Sequence, residues 1–448
     1  MGHQNHLGEE SIGKLLLKYS IPAIIGMLVN ALYNIVDRMF IGRIPEVGSL
    51  ALTGVGITMP IISILLAFGM LIGIGSTANI SLNLGRGKRD DASALTLSLI
   101  IGIIITIVGL VFLNQILNIF GASSTTLIYA KQYITVILGG CTFNIISFAL
   151  NSTVRADGNP KMASFTMVAG CLTNVILDYV FVFILNMGIK GAAFATVISQ
   201  ALTCSIIIYY YTKGNSNLKL KSSNIKLNKK LVSMTFAIGI APFATQIANS
   251  LVQVVANNSL KAYGNDLSIG AMTIISSINM VFMMPIFGIN QGCQPIIGFN
   301  YGAKKYHRAK KTFIIATIAA TAICTIGGIL IQIFPEFTIN IFNNDAELAS
   351  VAIKGVRMYL LMMPIVGINI VATSYFQSVG KAKVSMFVSL LRQVILLIPF
   401  TLILPLFLGL DGVWAAGACA DFLSVVITLI LIFKEFKSLN KLYAAEAA

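Results

Sequence analysis

The chain carries 16 acidic residues, and only Asp37, Asp178 and Asp421 fall well inside long apolar runs. A carboxylate held in hydrocarbon costs at least about 2.5–3.5 kcal/mol unless it is paired or hydrated, so such a residue marks a functional position by default. Asp37 has polar company. Asn30, Asn34 and Asp37 stand at i, i+4 and i+7, on one stripe of a helix, and Asn174 and Asp178 at i and i+4 share a face of another. Thr196 lies in the middle of a further apolar run. Two carboxylates, amides and a hydroxyl are hard oxygen ligands suited to Na⁺. Alternatively, the two carboxylates could hold a proton between them. Enzyme chemistry finds no support. His3 and His6 are terminal, His307 stands in a basic loop, and no nucleophile motif or metal spacing is present.

The elements that must position these residues follow from composition. The chain is 56% hydrophobic and 10% charged, whereas a soluble domain carries about 25% charged residues. Apolar runs long enough to cross about 30 Å of hydrocarbon recur along it, and backbone groups that cannot go unpaired in lipid make each run a helix. Twelve spans are predicted, near 15–42, 50–82, 93–116, 126–155, 162–186, 191–211, 232–262, 268–300, 310–334, 347–378, 383–408 and 412–433. No cleavable leader pattern precedes the first. The fold class expected is an all-α membrane protein.

The net charge of +15 does not point to nucleic acid. Most of the 31 basic residues fall on alternate loops: Arg86, Lys88 and Arg89, six lysines from Lys213 to Lys230, and Lys304, Lys305 and Arg308 with their neighbours. Arg43, Lys190 and Lys261 stand on the other side. Basic residues favour the cytoplasmic side, so both termini are expected there, with the basic loops against anionic lipid. The six cysteines lie in or beside apolar spans and read as packing residues.

A polar stretch, 212–230, separates residues 1–211 from residues 231–448, six spans each. The halves repeat at an almost constant offset. Pro22 matches Pro242, Phe68-Gly69 with Gly73 matches Phe287-Gly288 with Gly292, and Leu84-Gly85-Arg86-Gly87-Lys88 matches Tyr301-Gly302-Ala303-Lys304-Lys305. Gly158 matches Gly380, and Gly188 with Gly191 matches Gly409 with Gly412. Six spans is an even number, so the repeats are parallel, which is the plan of an alternating-access transporter. At these offsets Asp37 maps to Asn257, Asn174 to Leu396 and Asp178 to Phe400. The stripe Gln246, Asn249, Gln253 and Asn257 is polar but uncharged, so ion chemistry is expected in the first half alone. Asp421 has a candidate partner in Arg392. Methionines gather in the second half, among them Met283, Met284 and Met362. Flexible, polarizable side chains of this kind suit a promiscuous pocket, and a substrate cavity is expected among Tyr33, Gln253, Asn257, Met283, Met284, Gln291 and Met362.

The stretch Gly288-Ile-Asn-Gln291-Gly292-Cys-Gln294-Pro295-Ile-Ile-Gly298-Phe-Asn300-Tyr301-Gly302-Ala303 resembles the signature segment of the multidrug and toxic compound extrusion (MATE) family. Asp37-Arg-Met-Phe-Ile-Gly42 resembles that family's end of helix one, and Arg155-Ala-Asp157-Gly158-Asn159-Pro160-Lys161 its loop between helices four and five. Length and spacing are similar to the bacterial MepA-like branch. The resemblance implies a V-shaped pair of six-helix bundles in a bacterial plasma membrane. It implies a monomer without a cofactor that exports organic cations against inward H⁺ or Na⁺. It also implies a coupling site of Asp37, Asn174, Asp178 and Thr196, with Na⁺ a candidate ligand there. Acidic residues that many members carry on helix seven or ten are missing. A major facilitator transporter would show an acidic Gly-rich motif after helix two, and the loop Asn83-Leu-Gly85-Arg-Gly87-Lys-Arg has none. A lipid-linked precursor flippase of the same superfamily, the main alternative, would carry a strongly cationic cavity, whereas Arg38 and Arg392 are the main intramembrane cations here.

Overall fold

A computed structural model describes residues 4–42, 44, 48–85, 93–120, 127–214, 216, 229–264, 266–340 and 346–447. These residues are almost entirely helical. The long helices are α1 Ile12–Gly42, α2 Gly48–Gly85, α3 Ser93–Val111, α4 in two pieces (Leu127–Gly139 and Cys141–Ala156), α5 Pro160–Asp178 and α6 Gly188–Thr212. They continue as α7 Lys229–Tyr263, α8 Asp266–Gly302, α9 Tyr306–Ile333, α10 in two pieces (Ala346–Tyr359 and Met363–Ser378), α11 Ala382–Leu390 and α12 Leu410–Ala447. Among the described residues ten helices are long and apolar enough to cross a membrane, and counting each of the two bent pairs as one span gives twelve. The bends, 54° in α4 and 54° in α10, fall at Gly140 and just before Pro364. Proline lacks the N–H that would continue the helical ladder and clashes with the preceding turn, which accounts for the second break.

These helices turn apolar side chains outward. On α3, Ile100, Ile103, Ile104 and Ile107 are 42–58% exposed, a face that water would penalise and lipid accommodates.

Packing divides the chain into two compact units, Ile25–Gln246 and Met1–Ile24 with Ile247–Ala448. The boundaries fall inside α1 and α7, so each of these helices contributes a segment to both units. In the unit Ile25–Gln246, the apolar core includes Ile41, Val55, Leu65, Ile134, Leu138 and Val182. The first turns of α7 dock on α2, where Asn79 Nδ2 donates to Thr235 Oγ1 at 3.0 Å and to the Leu231 carbonyl at 3.3 Å. In the other unit the core includes Leu15, Tyr19, Ile275, Phe313, Tyr375 and Trp414, which places the start of α1 among α8–α12. The polar stretch expected at 212–230 lies mostly outside the described residues.

The repeat seen in the sequence has a backbone counterpart. Gly158 and Gly380 have φ of 99° and 78°, and Gly188 and Gly409 have 59° and 58°. These are the left-handed turns that L side chains resist, and they end or start equivalent helices in the two halves. At the first of them Asn159 caps α5, its side chain accepting from the Met162 N–H, and Pro160 takes the first helical position. Those positions suit an amide acceptor and a residue with no N–H to satisfy.

Candidate functional site

Three helices of the unit Ile25–Gln246 bring the expected ion ligands together. Asp37 comes from α1, Asn174 and Asp178 from α5 and Thr196 from α6. All four are buried, and Asp178 is wholly inaccessible. Asp178 is the last α-helical residue of α5. The chain continues from it as a π-helix, Tyr179–Ile184, with the Leu185 N–H bonded to the Val180 carbonyl at 2.8 Å. The wider turn adds a residue to the repeat and re-aims the side chains beyond it, a device common at functional sites.

Within the cluster, the Asp37 side chain lies in hydrogen-bonding reach of Asp178. Two orientations fit the Asn174 amide. In one its Nδ2 donates to Thr196 Oγ1 over 3.4 Å. In the other, Nδ2 donates to Asp178 Oδ2 at 3.2 Å and Oδ1 accepts from the Thr196 backbone N–H at 3.2 Å. The second satisfies both ends and gives the carboxylate a donor, so the site favours it. Thr196 Oγ1 also donates to the Ala192 carbonyl at 3.1 Å.

A fifth residue belongs to the cluster and did not stand out in the sequence. Tyr133, 4% exposed on the first piece of α4, hydrogen bonds Thr196 and lies in the electrostatic reach of Asp37, Asp178 and Tyr33. Its signal was available: Ala130, Tyr133, Ile134, Ile137 and Leu138 form the buried face of that helix, and a tyrosine on a buried face needs a partner for its hydroxyl.

The chemistry follows from the charges. Among the described residues Asp178 Oδ1 accepts no hydrogen bond from a fixed donor, and the charged group that acts on it is another acid, Asp37. Two carboxylates about 4 Å apart repel by about 4 kcal/mol at an effective dielectric of about 20. A proton or a Na⁺ held between them would remove that repulsion.

The remaining expected residues are placed as follows. Asn34 lies outside the residues whose side chains are described. Tyr33 is half-buried beside the cluster. Gln253 and Asn257 are exposed on α7, Met283 is in the apolar core of its unit, and Met284, Gln291 and Met362 are half-buried.

The second unit holds its own buried polar group. Arg392, on a π-helix Leu391–Leu397 that continues α11, bonds through Nε to Asp421 Oδ1, as its sequence position suggested. The Tyr359 hydroxyl joins the guanidinium. On α12, Ser424 Oγ donates to the Asp421 carbonyl at 2.9 Å and accepts from Asn369 Nδ2 at 3.4 Å, and Thr428 Oγ1 donates to Asn369 Oδ1 at 3.1 Å.

Known proteins share this architecture. The sequence model of the MatE family matches residues 22–180 and 242–403. The multidrug export protein MepA of Staphylococcus haemolyticus is 27% identical over 430 residues, covering 95% of this chain and 94% of that protein. A solved structure of the MATE multidrug transporter DinF-BH is 37% identical, with a TM-score of 0.88 over 95% of this chain and 96% of that one. A crystal structure of a MATE protein in a bent conformation superposes with a TM-score of 0.92 over 99% of both chains at 23% identity, a likeness of fold.

Proposed function

The chain belongs to the MatE family of multidrug transporters, and from that premise we propose that it exports lipophilic organic cations by antiport, with H⁺ or Na⁺ entering through the Asp37–Asp178 cluster. One observation carries the reading: two buried carboxylates from different helices face one another, with Asn174 and Thr196 at their side. Export against a gradient requires that drug and ion favour different states of the transporter, because a ligand shifts an equilibrium only by its differential affinity. A carboxylate pair that repels when empty and draws together around a cation supplies such a difference. Pro22 interrupts the backbone ladder of α1 beside Gly26, so the segment bearing Asp37 can move relative to the helix start.

All four coupling residues lie within residues 1–211, so the first six-span half is the ion-responsive one and residues 231–448 contribute mainly to the drug path. The termini and the 212–230 stretch face the cytoplasm, where the basic loops lie. The substrates are bulky lipophilic cations. Ethidium, a flat aromatic ring system with a permanent positive charge, is a suitable probe. Efflux of ethidium from proteoliposomes under pH and Na⁺ gradients imposed separately tests the reading. Efflux that follows neither gradient would sink it. Movement of anionic or lipid-linked cargo alone would favour the flippase alternative.

A further inference from the structure

The loop between α8 and α9 matches the loop after α2 in the repeat, yet the ion cluster gives it no task. The structure shows what it holds. A short helix, Gln4–Glu9, precedes α1. The last carbonyls of a helix have no intrahelical partner, and here the end of α8, the start of α9 and Lys305 between them supply the partners. Arg308 Nη2 donates to the Glu10 carbonyl at 2.6 Å and to the Leu7 carbonyl at 3.3 Å. Its Nε donates to Asn300 Oδ1 at 3.0 Å, and Asn300 Nδ2 returns to the Leu7 carbonyl at 3.0 Å. Lys305 Nζ donates to the Gly8 carbonyl at 3.1 Å. Leu7 itself is 3% exposed, in the same core as Leu15 and Tyr19.

The grip continues along the first half of α1. A Cβ on Gly288 of α8 would lie 2.7 Å from Ile24 Cα, and one on Gly292 would lie 2.8 Å from the Ser20 nitrogen, so α1 rests directly on backbone there. Beyond Ile24 the helix passes into the other unit, where it carries Asp37. Pro22 lies between the last two points of contact.

We infer that Arg308 is a positioning residue for ion-coupled transport, anchoring the N-terminal segment and, with it, the first half of α1 on α8 and α9. An anchored first half converts repacking around Asp37 into bending of α1 beyond its last point of contact, Ile24. A free first half lets the whole helix shift, and the ion's differential binding energy never reaches the rest of the molecule. The donors reach backbone carbonyls rather than side chains, so the anchor depends on the position of the segment and little on its sequence. This inference rests on the coupling role of Asp37.

The test uses the full chain in proteoliposomes, with ethidium as the drug. Arg308→Gln is expected to leave ethidium affinity within about twofold of the parent and to lower gradient-driven efflux at least about fivefold. In that variant, Gly8→Cys with Lys305→Cys, in a Cys419→Ser background, is bridged by a short reversible thiol cross-linker. The bridge is expected to restore efflux, and reduction to remove it again. Unchanged efflux in Arg308→Gln overturns the inference, as does loss of ethidium binding in step with efflux, or a bridged protein that stays inactive. If Arg308→Gln fails to insert, deletion of residues 2–9 removes the Leu7 and Gly8 contacts from the other side and is held to the same outcomes. Asp37→Asn separates the two readings. If it is silent, the coupling site is wrong while the cross-link still reports on the anchor. If it stops efflux and Arg308→Gln does not, the anchor alone fails.

Discussion

The two buried polar clusters are built from similar parts and differ in the group that faces the buried acid. In the unit Ile25–Gln246, Asp178 faces Asp37, with Asn174, Thr196 and Tyr133 around them. In the other unit Asp421 is bonded to Arg392, with Tyr359 on the guanidinium and Asn369, Ser424 and Thr428 alongside. Each cluster draws its tyrosine from the helix piece before a 54° bend, and each has a π-helix at or beside a charged member. On the proposed reading, an acid facing an acid takes its cation from solution. An acid bonded to an arginine carries its cation covalently and has no need to exchange it. On the proposed reading, the first cluster responds to a gradient and the second holds its unit together.

The widest gap between the clusters is expected in transport. Asp37→Asn and Asp178→Asn should each reduce gradient-driven ethidium efflux to the level of empty liposomes, while the protein still inserts and elutes as a single species. Either amide keeps the size of the side chain but cannot bind and release a cation as the carboxylate does. Full efflux from either variant would remove the first cluster from the coupling mechanism.

The second cluster should answer in stability. Arg392→Gln or Asp421→Asn alone strands a buried charge, at a cost of about 3–5 kcal/mol, read as a lowered melting temperature in detergent. The paired replacement Arg392→Met with Asp421→Leu removes both charges, and apolar substitutes for buried ion pairs are often neutral or stabilising by about 1–4 kcal/mol. The pair should therefore regain the parent's melting temperature and its efflux. A paired variant that is stable but inactive would give Arg392 and Asp421 a part in transport and erase the contrast.

Tyr133 sharpens the first cluster. Its hydroxyl bonds Thr196 beside the carboxylates, so Tyr133→Phe should weaken the site by about 1 kcal/mol, about a fivefold loss of efflux, with stability nearly unchanged. A loss as complete as that of Asp37→Asn would make the hydroxyl an obligatory ligand.

Much of this was legible in the sequence. Asp37, Asp178, Asn174 and Thr196 announced themselves because polar groups in apolar runs are conspicuous, and helical spacing put Asn174 and Asp178 on one face. The helical membrane architecture followed from run length and the cost of unpaired backbone in lipid. The repeat followed from glycines, and four of them, Gly158, Gly188, Gly380 and Gly409, take positive φ. Other features depend on long-range packing and left little local trace. Tyr133 looks like any aromatic residue on an amphipathic helix until its neighbours are known. Arg308 looked like loop charge, and Asn300 like one more member of the helix-eight segment, because their partners are backbone carbonyls about 300 positions away in sequence, which no side-chain pattern records. The unit boundaries fall within α1 and α7, where an unbroken apolar run gives no sign of a change of neighbours.

The smallest effect is expected where the repeat places the counterpart of Asp37. Asn257 lies on α7, one turn beyond Gln253, and its side chain is exposed. An exposed neutral amide carries no charge to exchange, and its removal opens no cavity and strands no buried donor. Substitutions of that kind usually stay within about 0.5 kcal/mol in stability, and Asn257→Ala should leave the melting temperature and the ion dependence of efflux at parental values. Any change should be confined to the apparent affinity for ethidium, because the residue was expected to line the drug path. The informative comparison is with Asp37→Asn under the same gradients. If Asn257→Ala stops efflux and Asp37→Asn does not, the ion-responsive half is the second one. The polar stripe Gln246, Asn249, Gln253 and Asn257 would then have to be read as its ligand set.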